Sequence, residues 1–478
     1  MSSLTLLFPM ACVAYFGWKS LTSRVFLLGI PFLQYLRQSV FFDEMRPFWL
    51  PGRLGIDWIT LGWLVLVWLL CTDFILPRAD RRARRPFGGR FLPEEIVVVA
   101  IAALVVVSIA SAARRYGDLG SALHEAFGMV SMLIGYVLLR GILSQSSRAE
   151  VFAFMKALVV VNTAAAVLFI VHQGLHIHVY QAVEYFTTTF RGEVITRTFT
   201  FMPPLLFFSL AMSFALRRWS KWVYIVVLIS LVAIWLSYTR TMLAIAILMA
   251  VVPVVVRMIK GGQSVLVLRR SIGTLIVVAS VAAVLLAMFP TQSRYFMSRI
   301  ESAMSGTSVS ETDSLTVRRL HFDKVFAHTA TIDPVLGVGF ASAAQDPGYL
   351  DMQTYSADSI WVRLVYTLGI MGLVLFAGLI AAFALRAAWM ARSREVSTEY
   401  AGLVWLPYFV GMALGSFIGA GALDPTRWCL NLFPFAFLAA EAARSALLAV
   451  EIPGRKSGVS LLSAGGAASP SSGEVAQA

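Results

Sequence analysis

Apolar runs of roughly 20 residues recur along almost the whole chain, and they constrain the fold more than any other feature. A helix of that length covers the hydrocarbon thickness of a bilayer. The 478 residues are 58% hydrophobic and only 14% charged, whereas about a quarter of the residues of a soluble domain are charged. This composition excludes an ordinary soluble fold. The sequence predicts an all-α, polytopic transmembrane helical bundle.

The predicted bundle has about 12 or 13 spans. Two short N-terminal runs, Leu4–Trp18 and Val25–Leu36, are either two thin spans or one span and an interfacial helix. The clear spans lie at about 57–76, 93–112, 122–143, 151–172, 199–216, 222–237, 242–259, 271–289, 359–385, 401–421 and 428–447.

The predicted organisation is one transmembrane domain over residues 1–452 and a tail over 453–478. The longest break between apolar runs, residues 290–358, forms one large and partly helical loop of that domain. The tail is rich in Gly, Ser, Ala and Pro, which is typical of a disordered segment.

Basic residues in the short loops predict the orientation. Arginine and lysine crowd the connections around 78–90, 217–221, 257–270 and 386–394, which all fall on one side of the bundle. The positive-inside rule makes that side cytoplasmic. Alternation then places 173–198, 238–241 and 290–358 on the outer face, and the C-terminus inside.

Arginine nevertheless accumulates on the outer face. The net charge is +13, and two interpretations of the arginine excess stay open: a genomic bias combined with the positive-inside rule, or recognition of phosphate by planar bidentate donors. Arg240 lies in a very short corner between two spans, where an unpaired charge is costly. Arg363, inside the next span, would carry the same cost if it were unpaired. The outer arginines are Arg191, Arg197, Arg240, Arg294, Arg299, Arg318 and Arg319. Several guanidinium groups on one face predict an anionic partner there.

The large loop contains an amphipathic pattern over residues 314–329. Its apolar stripe is formed by Leu315, Phe322 and Phe326, with Val325 beside it. Arg318 and Arg319 lie at the two edges of the stripe. A helix lying in the membrane surface, with guanidinium groups flanking its buried face, is the structure this pattern predicts.

A tight turn follows that helix. Pro334 breaks the helix, and Gly337-Val-Gly339 supplies two residues where the backbone can come close to a ligand. These glycines do not form a nucleotide-binding loop, because no strand precedes them and the lysine of a phosphate loop is missing.

Four stretches together resemble the O-antigen ligase and O-antigen polymerase superfamily of bacterial membrane glycosyltransferases. They are the arginine-to-proline segment Arg197–Pro204, the corner Ser237-Tyr-Thr-Arg240, Arg319 with the later Pro334-x-x-Gly337-x-Gly339, and Ser356–Gly372 with its terminal Gly-x-x-Gly. The likeness covers roughly residues 190–375. It implies a multi-pass protein of the bacterial inner membrane, with the large loop in the periplasm.

The resemblance implies substrates linked to undecaprenyl diphosphate, and the large loop is then predicted to roof the site for that lipid-linked diphosphate. Ligases of the superfamily usually carry a histidine just before the span that follows the loop, but this chain has Tyr355-Ser-Ala-Asp358 there. This departure favours a polymerase of repeat units for an exopolysaccharide, capsule or O-antigen. A ligase that transfers finished glycan to lipid A core or protein is the alternative. A flippase or secondary transporter is more distant, because no internal repeat is visible. Flippase and chain-length-regulator proteins of the same pathway are possible partners, and no nucleic acid is expected.

The transfer of a sugar from its diphosphate needs few catalytic groups, because the diphosphate leaves as a stabilised anion. Arg240 and Arg319 are the predicted diphosphate clamp. Asp358 is the predicted general base, with an ordinary helix N-cap as the competing interpretation, and Glu193 and Asp351 are weaker alternatives for the base. The further predicted substrate-binding residues are Arg197, Arg318, Arg191, Arg363, Gly337 and Gly339. No metal or other cofactor is predicted, since the acidic, histidine and cysteine residues lack convincing ligand spacing.

Overall fold

The computed structural model describes residues 91–174, 185–190, 193–198, 203–216, 220–237, 240–260, 290–305, 314–349, 360–414 and 435–442, with positions 273, 283, 287 and 352. Several predicted features lie outside these residues. They are the N-terminal runs, the 57–76 span, most of the 271–289 span and the tail 453–478.

Ten helices and one hairpin have bounds that the structure gives. The helices are α1 Pro93–Tyr116, α2 Leu119–Gln145, α3 Arg148–Gly174, α4 Pro203–Ala215, α5 Lys221–Leu236, α6 Arg240–Ile259, α7 Pro290–Ser305, α8 Ser314–Ile332, α9 Ile360–Ala391 and α10 Val396–Leu414; the strands are β1 Tyr185–Phe190 and β2 Glu193–Thr198. Residues 435–442 are also helical.

Five helices among the described residues are long and apolar enough to cross a bilayer. They comprise α1, α3, α9, most of α2 and the part of α6 from Met242. Helix α5 is apolar but shorter. The predicted polytopic helical bundle is therefore confirmed.

The turn between α1 and α2 shows how local sequence sets the helix ends. Helix α1 begins at Pro93, where a missing N–H costs nothing, and the Glu95 carboxylate accepts the Leu92 N–H at 2.7 Å. It ends at Gly117, whose φ of 70° is the left-handed cap that glycine tolerates best. Asp118 then caps α2 by accepting the Ser121 N–H at 3.1 Å. Two long helices are thus reversed by a turn of two residues.

The helices pack around a shared apolar core. Helix α9 contacts α1, α8 and α10, while α4 lies against α3, α5, α6 and α10. Phe383 of α9, Phe409 of α10 and Phe435 form a cluster with ring centroids 4.8–6.0 Å apart. The opposite face of α1 leaves Ile96, Val99 and Val106 exposed, as expected where a helix faces lipid.

Ion pairs gather at the end of the bundle where α1 begins and α9 ends. Arg140 is fully buried and pairs with Glu95, which is 3% exposed and also accepts the Tyr136 hydroxyl at 3.0 Å. The other pairs are Glu94–Arg386, Arg148–Glu395, Arg148–Glu441 and Lys260–Glu399, at 2.6–2.9 Å. Arg386 and Lys260, two of the basic residues that predicted the cytoplasmic side, are therefore paired with carboxylates from neighbouring helices.

The β1–β2 hairpin adds an element to the helical bundle that the sequence analysis treated only as an outer loop. The strands pair antiparallel, with Tyr185 opposite Thr198 and Phe190 opposite Glu193. Threonine, valine and aromatic residues dominate both strands, and these are the residue types that favour strands. Only Arg191 and Gly192 join them, and a two-residue connection with a glycine is a hairpin signal. The sequence therefore contained a signal for this hairpin.

Candidate functional site

The loop after α8 docks on a break in α9. The backbone of α9 is non-helical at Gly369, with φ 63° and ψ −162°. This break frees backbone groups, and the loop binds them: the N–H groups of Ile370 and Met371 donate to the carbonyls of Pro334 and Val335 at 3.0 and 3.2 Å. In the other direction, Val338 N–H donates to the Tyr366 carbonyl at 2.7 Å. A helix broken within an apolar span is thus satisfied by protein backbone instead of water.

Glycine at positions 337 and 369 permits this docking. A Cβ on Gly337 would lie 2.6 Å from both the Gly369 nitrogen and the Tyr366 oxygen. Gly337 also has a φ of 79°, which L side chains rarely adopt. Two of the glycine motifs in the sequence, Pro334-x-x-Gly337 and Gly369-x-x-Gly372, are therefore two sides of one contact.

Gly339 makes the second close approach, against α1. A Cβ there would lie 2.9 Å from the Ala112 side chain and 3.2 Å from the Ser108 carbonyl. Arg115 fastens the same loop by donating to the Val338 carbonyl at 2.8 Å, and Ser108 donates to the Thr367 carbonyl of α9 at 2.7 Å. The sequence analysis expected the backbone to come close to another group at Gly337 and Gly339. The structure shows that these glycines approach helices α9 and α1. Contact of the two glycines with a ligand stays a prediction.

Three polar side chains, one of them from this loop, form a cluster. Asp346 is 4% exposed and accepts the Tyr366 hydroxyl at 2.5 Å. The Nε2 atom of His328 lies 2.9 Å and 3.1 Å from the two Asp346 oxygens. The His328 and Tyr366 rings are nearly parallel, with centroids 6.4 Å apart. Helix α8, the loop and α9 each contribute one member, so the cluster exists only when these elements pack together.

A second polar contact continues from the first toward α2. Tyr349 donates its hydroxyl to the Glu125 carboxylate at 2.9 Å. Burial, followed by the charge of Glu125, raises the pKa of Tyr349 to about 12, so the phenol keeps its proton and donates. The Arg363 charge partly offsets this rise. Arg363, near the beginning of α9, therefore lies close enough to Tyr349 to act on it, and its role in substrate binding stays a prediction.

The other predicted site residues are positioned by their backbone elements. Arg240 is the first residue of α6, Arg318 and Arg319 belong to α8, and Arg197 lies in β2 opposite Phe186. Arg191 and Asp358 lie outside the described residues. The predicted roles of these residues as clamp, ligand-binding group and base stay predictions.

A helix is present where the amphipathic pattern predicted one, as α8, and the placement of its stripe in the membrane surface stays a prediction. Val325 and Thr329 are buried, whereas Phe326 is 39% exposed. At about 100° per residue, position 318 lies within about 20° of Val325, and position 319 within about 20° of Phe326. Helix α8 packs against α9, and that contact decides which face is covered. The two adjacent arginine positions therefore belong to different faces of the helix.

These positions coincide with a known sequence family. Residues 225–377 match the O-antigen ligase family (Wzy_C). The match runs from α5, through the Arg240 corner, α8 and the docked loop, to a point just beyond the break in α9. Three of the four stretches that carried the resemblance lie within it, and Arg197–Pro204 lies outside it. The resemblance to the O-antigen ligase and polymerase superfamily is confirmed over these residues.

The O-antigen ligase match agrees with the apolar helices. Members of the family are glycosyltransferase-like membrane enzymes that act on undecaprenyl-linked glycans, and the family match together with the apolar helices indicates a multi-pass bacterial membrane protein. A comparison with curated proteins found no match.

Sequence reasoning missed the central partner in this region. Asp346 was not singled out, because it lies 18 residues after His328 and 20 before Tyr366, without a recognisable motif. Arg115, which anchors the loop, was missed because it lies in the last turn of α1, far from the large loop. No group of three or more histidine, cysteine or acidic residues that could hold a metal occurs within the part of the chain that the structure describes.

Proposed function

We propose that the protein is a polysaccharide polymerase that joins undecaprenyl-diphosphate-linked repeat units at the periplasmic face of the inner membrane. The observation that carries the proposal is the O-antigen ligase match over 225–377, which spans both predicted clamp arginines, Arg240 and Arg319. A polymerase is favoured over a ligase because Tyr355–Asp358 lacks the histidine that ligases of the superfamily usually carry.

The proposed reaction uses a donor that is already activated. The acceptor hydroxyl attacks the anomeric carbon of the donor sugar, and the bond from that carbon to the diphosphate breaks. Arg240 and Arg319 hold the departing diphosphate through bidentate hydrogen bonds to its oxygens. Arg197, Arg318, Arg191 and Arg363, with the backbone at Gly337 and Gly339, complete the proposed binding site, and Asp358 is the predicted base.

The test is the glycan profile of strains that carry single substitutions. Arg240→Ala and Arg319→Ala are expected to abolish long-chain polysaccharide and leave single lipid-linked repeats, while the amount of protein in the membrane stays unchanged. Arg114→Ala is the matched control, because Arg114 is an exposed arginine in the last turn of α1 outside the proposed site. Normal chain length in both clamp variants contradicts the proposal.

A ligase is the second candidate, because the matching family is described as O-antigen ligase. The deletion strain separates the two functions. Loss of a polymerase leaves single repeat units on undecaprenyl diphosphate, whereas loss of a ligase leaves long lipid-linked chains that are not transferred to lipid A core or protein.

A further inference from the structure

The geometry around Asp346 fixes the hydrogen-bonding state of His328. A carboxylate that is 4% exposed needs donors for its oxygens, and Tyr366 and His328 supply them at 2.5 and 2.9 Å. The Nε2 atom of His328 must therefore carry a hydrogen and donate it. In neutral imidazole this leaves the other ring nitrogen, Nδ1, as an acceptor.

The His328 side chain is partly accessible. The side chain is 29% exposed, although its Nε2 atom is bound to a buried group. No described residue forms a hydrogen bond with Nδ1; the described hydrogen bonds of this ring go through Nε2. An imidazole oriented by a buried carboxylate, with its second nitrogen free, is arranged to accept a proton.

The surroundings of His328 suit a sugar. A Cβ on Gly348 would collide with the His328 ring, so Gly348 lets the loop close over it. The next residue is Tyr349, which is partly exposed and bonded to Glu125, with the Arg363 charge nearby. Hydroxyl, carboxylate and guanidinium groups beside an aromatic ring can bind several sugar hydroxyls.

The positions of Arg318 and His328 on helix α8 can be compared from the helix geometry. Position 318 precedes His328 by ten residues, which is about 15 Å along the helix axis and about 80° around it. Of the two arginine positions of α8, position 318 is therefore the one nearer to the face of His328, whereas position 319 lies about 180° around the helix from it.

We propose that His328, held by Asp346, removes the proton of the acceptor sugar hydroxyl in the glycosyl transfer. This inference rests on the proposed function and gives His328 the part that the sequence analysis gave to Asp358. The acceptor oxygen bonds to the anomeric carbon, and the carbon–oxygen bond to the diphosphate breaks with its electrons passing to the diphosphate. The hydroxyl proton passes to Nδ1 of His328 and then to solvent. Asp346 is a positioning residue, and Tyr366 steadies its carboxylate.

The experiment uses the full-length protein, purified and supplied with lipid-linked glycan extracted from the deletion strain. The rate of release of undecaprenyl diphosphate is measured. His328→Ala is expected to lower kcat by about 100-fold or more, the lower end of what a general base contributes. Asp346→Asn is expected to lower kcat more than it raises KM, because the amide no longer selects the Nε2–H tautomer. His124→Ala, at an exposed histidine of α2, is the control and is expected to keep the wild-type rate.

Chemical rescue separates proton transfer from a packing role. Added imidazole is expected to restore turnover to His328→Ala, and 1,2,4-triazole, which has a similar shape but is far less basic, is expected to restore much less. Equal rescue by both compounds overturns the proposal, and so does a wild-type rate in His328→Ala.

The same experiment separates failure of the proposed function from failure of the role proposed for His328. If the wild-type protein releases no undecaprenyl diphosphate from the extract, or if Arg240→Ala and Arg319→Ala are both fully active, the proposed function is wrong and this inference falls with it. If the wild-type protein is active, Arg240→Ala is inactive and His328→Ala is unaffected, only the role of His328 is wrong.

Discussion

Gly337 and Gly117 both have positive φ angles, but their surroundings differ. Gly337 has φ 79° and is packed against the backbone of Tyr366 and Gly369, whereas Gly117 has φ 70° and open space where a Cβ would lie. A side chain at position 117 would add only the free-energy cost of the left-handed conformation. At Gly337 it must also push two pieces of backbone apart, because no flexible side chain there can yield.

We therefore expect Gly337→Ala to destabilise the protein more than Gly117→Ala. The left-handed conformation alone costs roughly 1–2 kcal/mol for a residue with a Cβ, and this cost is common to both variants. Thermal unfolding in detergent measures the difference, with Gly117→Ala as the matched control. Equal Tm values for the two variants would show that the loop does not pack against α9 as described.

At the scale of the elements, α1 and α2 are joined by a buried ion pair. Arg140 of α2 is fully buried, and Glu95 at the start of α1 accepts from Arg140, Tyr136 and the Leu92 N–H. Removing two charges from water is costly, so the pair is stable only while both members are present. The pair thereby makes the alignment of α1 against α2 specific.

A double-substitution cycle tests this pair. Arg140→Met leaves the Glu95 charge buried without its cation and is expected to cost about 3–5 kcal/mol. Glu95→Gln in the same chain removes the orphaned charge while keeping an acceptor for Tyr136, so the double variant is expected to unfold at a higher temperature than Arg140→Met alone. Additive losses in Tm would show that the two groups do not interact.

The whole molecule has chemically different ends. One end carries the ion pairs between basic residues and carboxylates, including Glu94–Arg386 and Lys260–Glu399. The other end carries the docked loop, the His328–Asp346 contact and the Tyr349–Glu125 contact. The positive-inside rule predicts that the first end is cytoplasmic, and this orientation would place the proposed chemistry on the outer side.

Cysteine accessibility tests this orientation. In a variant without Cys12, Cys71 and Cys429, Ala344→Cys in the loop is expected to react with a membrane-impermeant thiol reagent in spheroplasts. Arg394→Cys, between α9 and α10, is expected to react only after the membrane is permeabilised. Both positions are exposed, so burial does not explain a difference. The reverse pattern of labelling would invert the assigned topology.

The sequence by itself determined the helical membrane bundle, the approximate position of each described span and helix α8 of the large loop, but not helix α7 of that loop. It could do so because solvation by lipid acts on each apolar run separately and leaves only a few backbone structures possible. The same local information included the strand-forming residues of the hairpin, although the hairpin was not predicted.

Only the tertiary structure decided that Gly337 docks against Gly369, that α8 buries Val325 and Thr329, and that Asp346 meets His328 and Tyr366. Each of these contacts joins separate elements, and its energy exists only after the elements have packed. No local period or motif encodes such a contact, because the free energy that selects it belongs to the pair of surfaces and not to either segment alone.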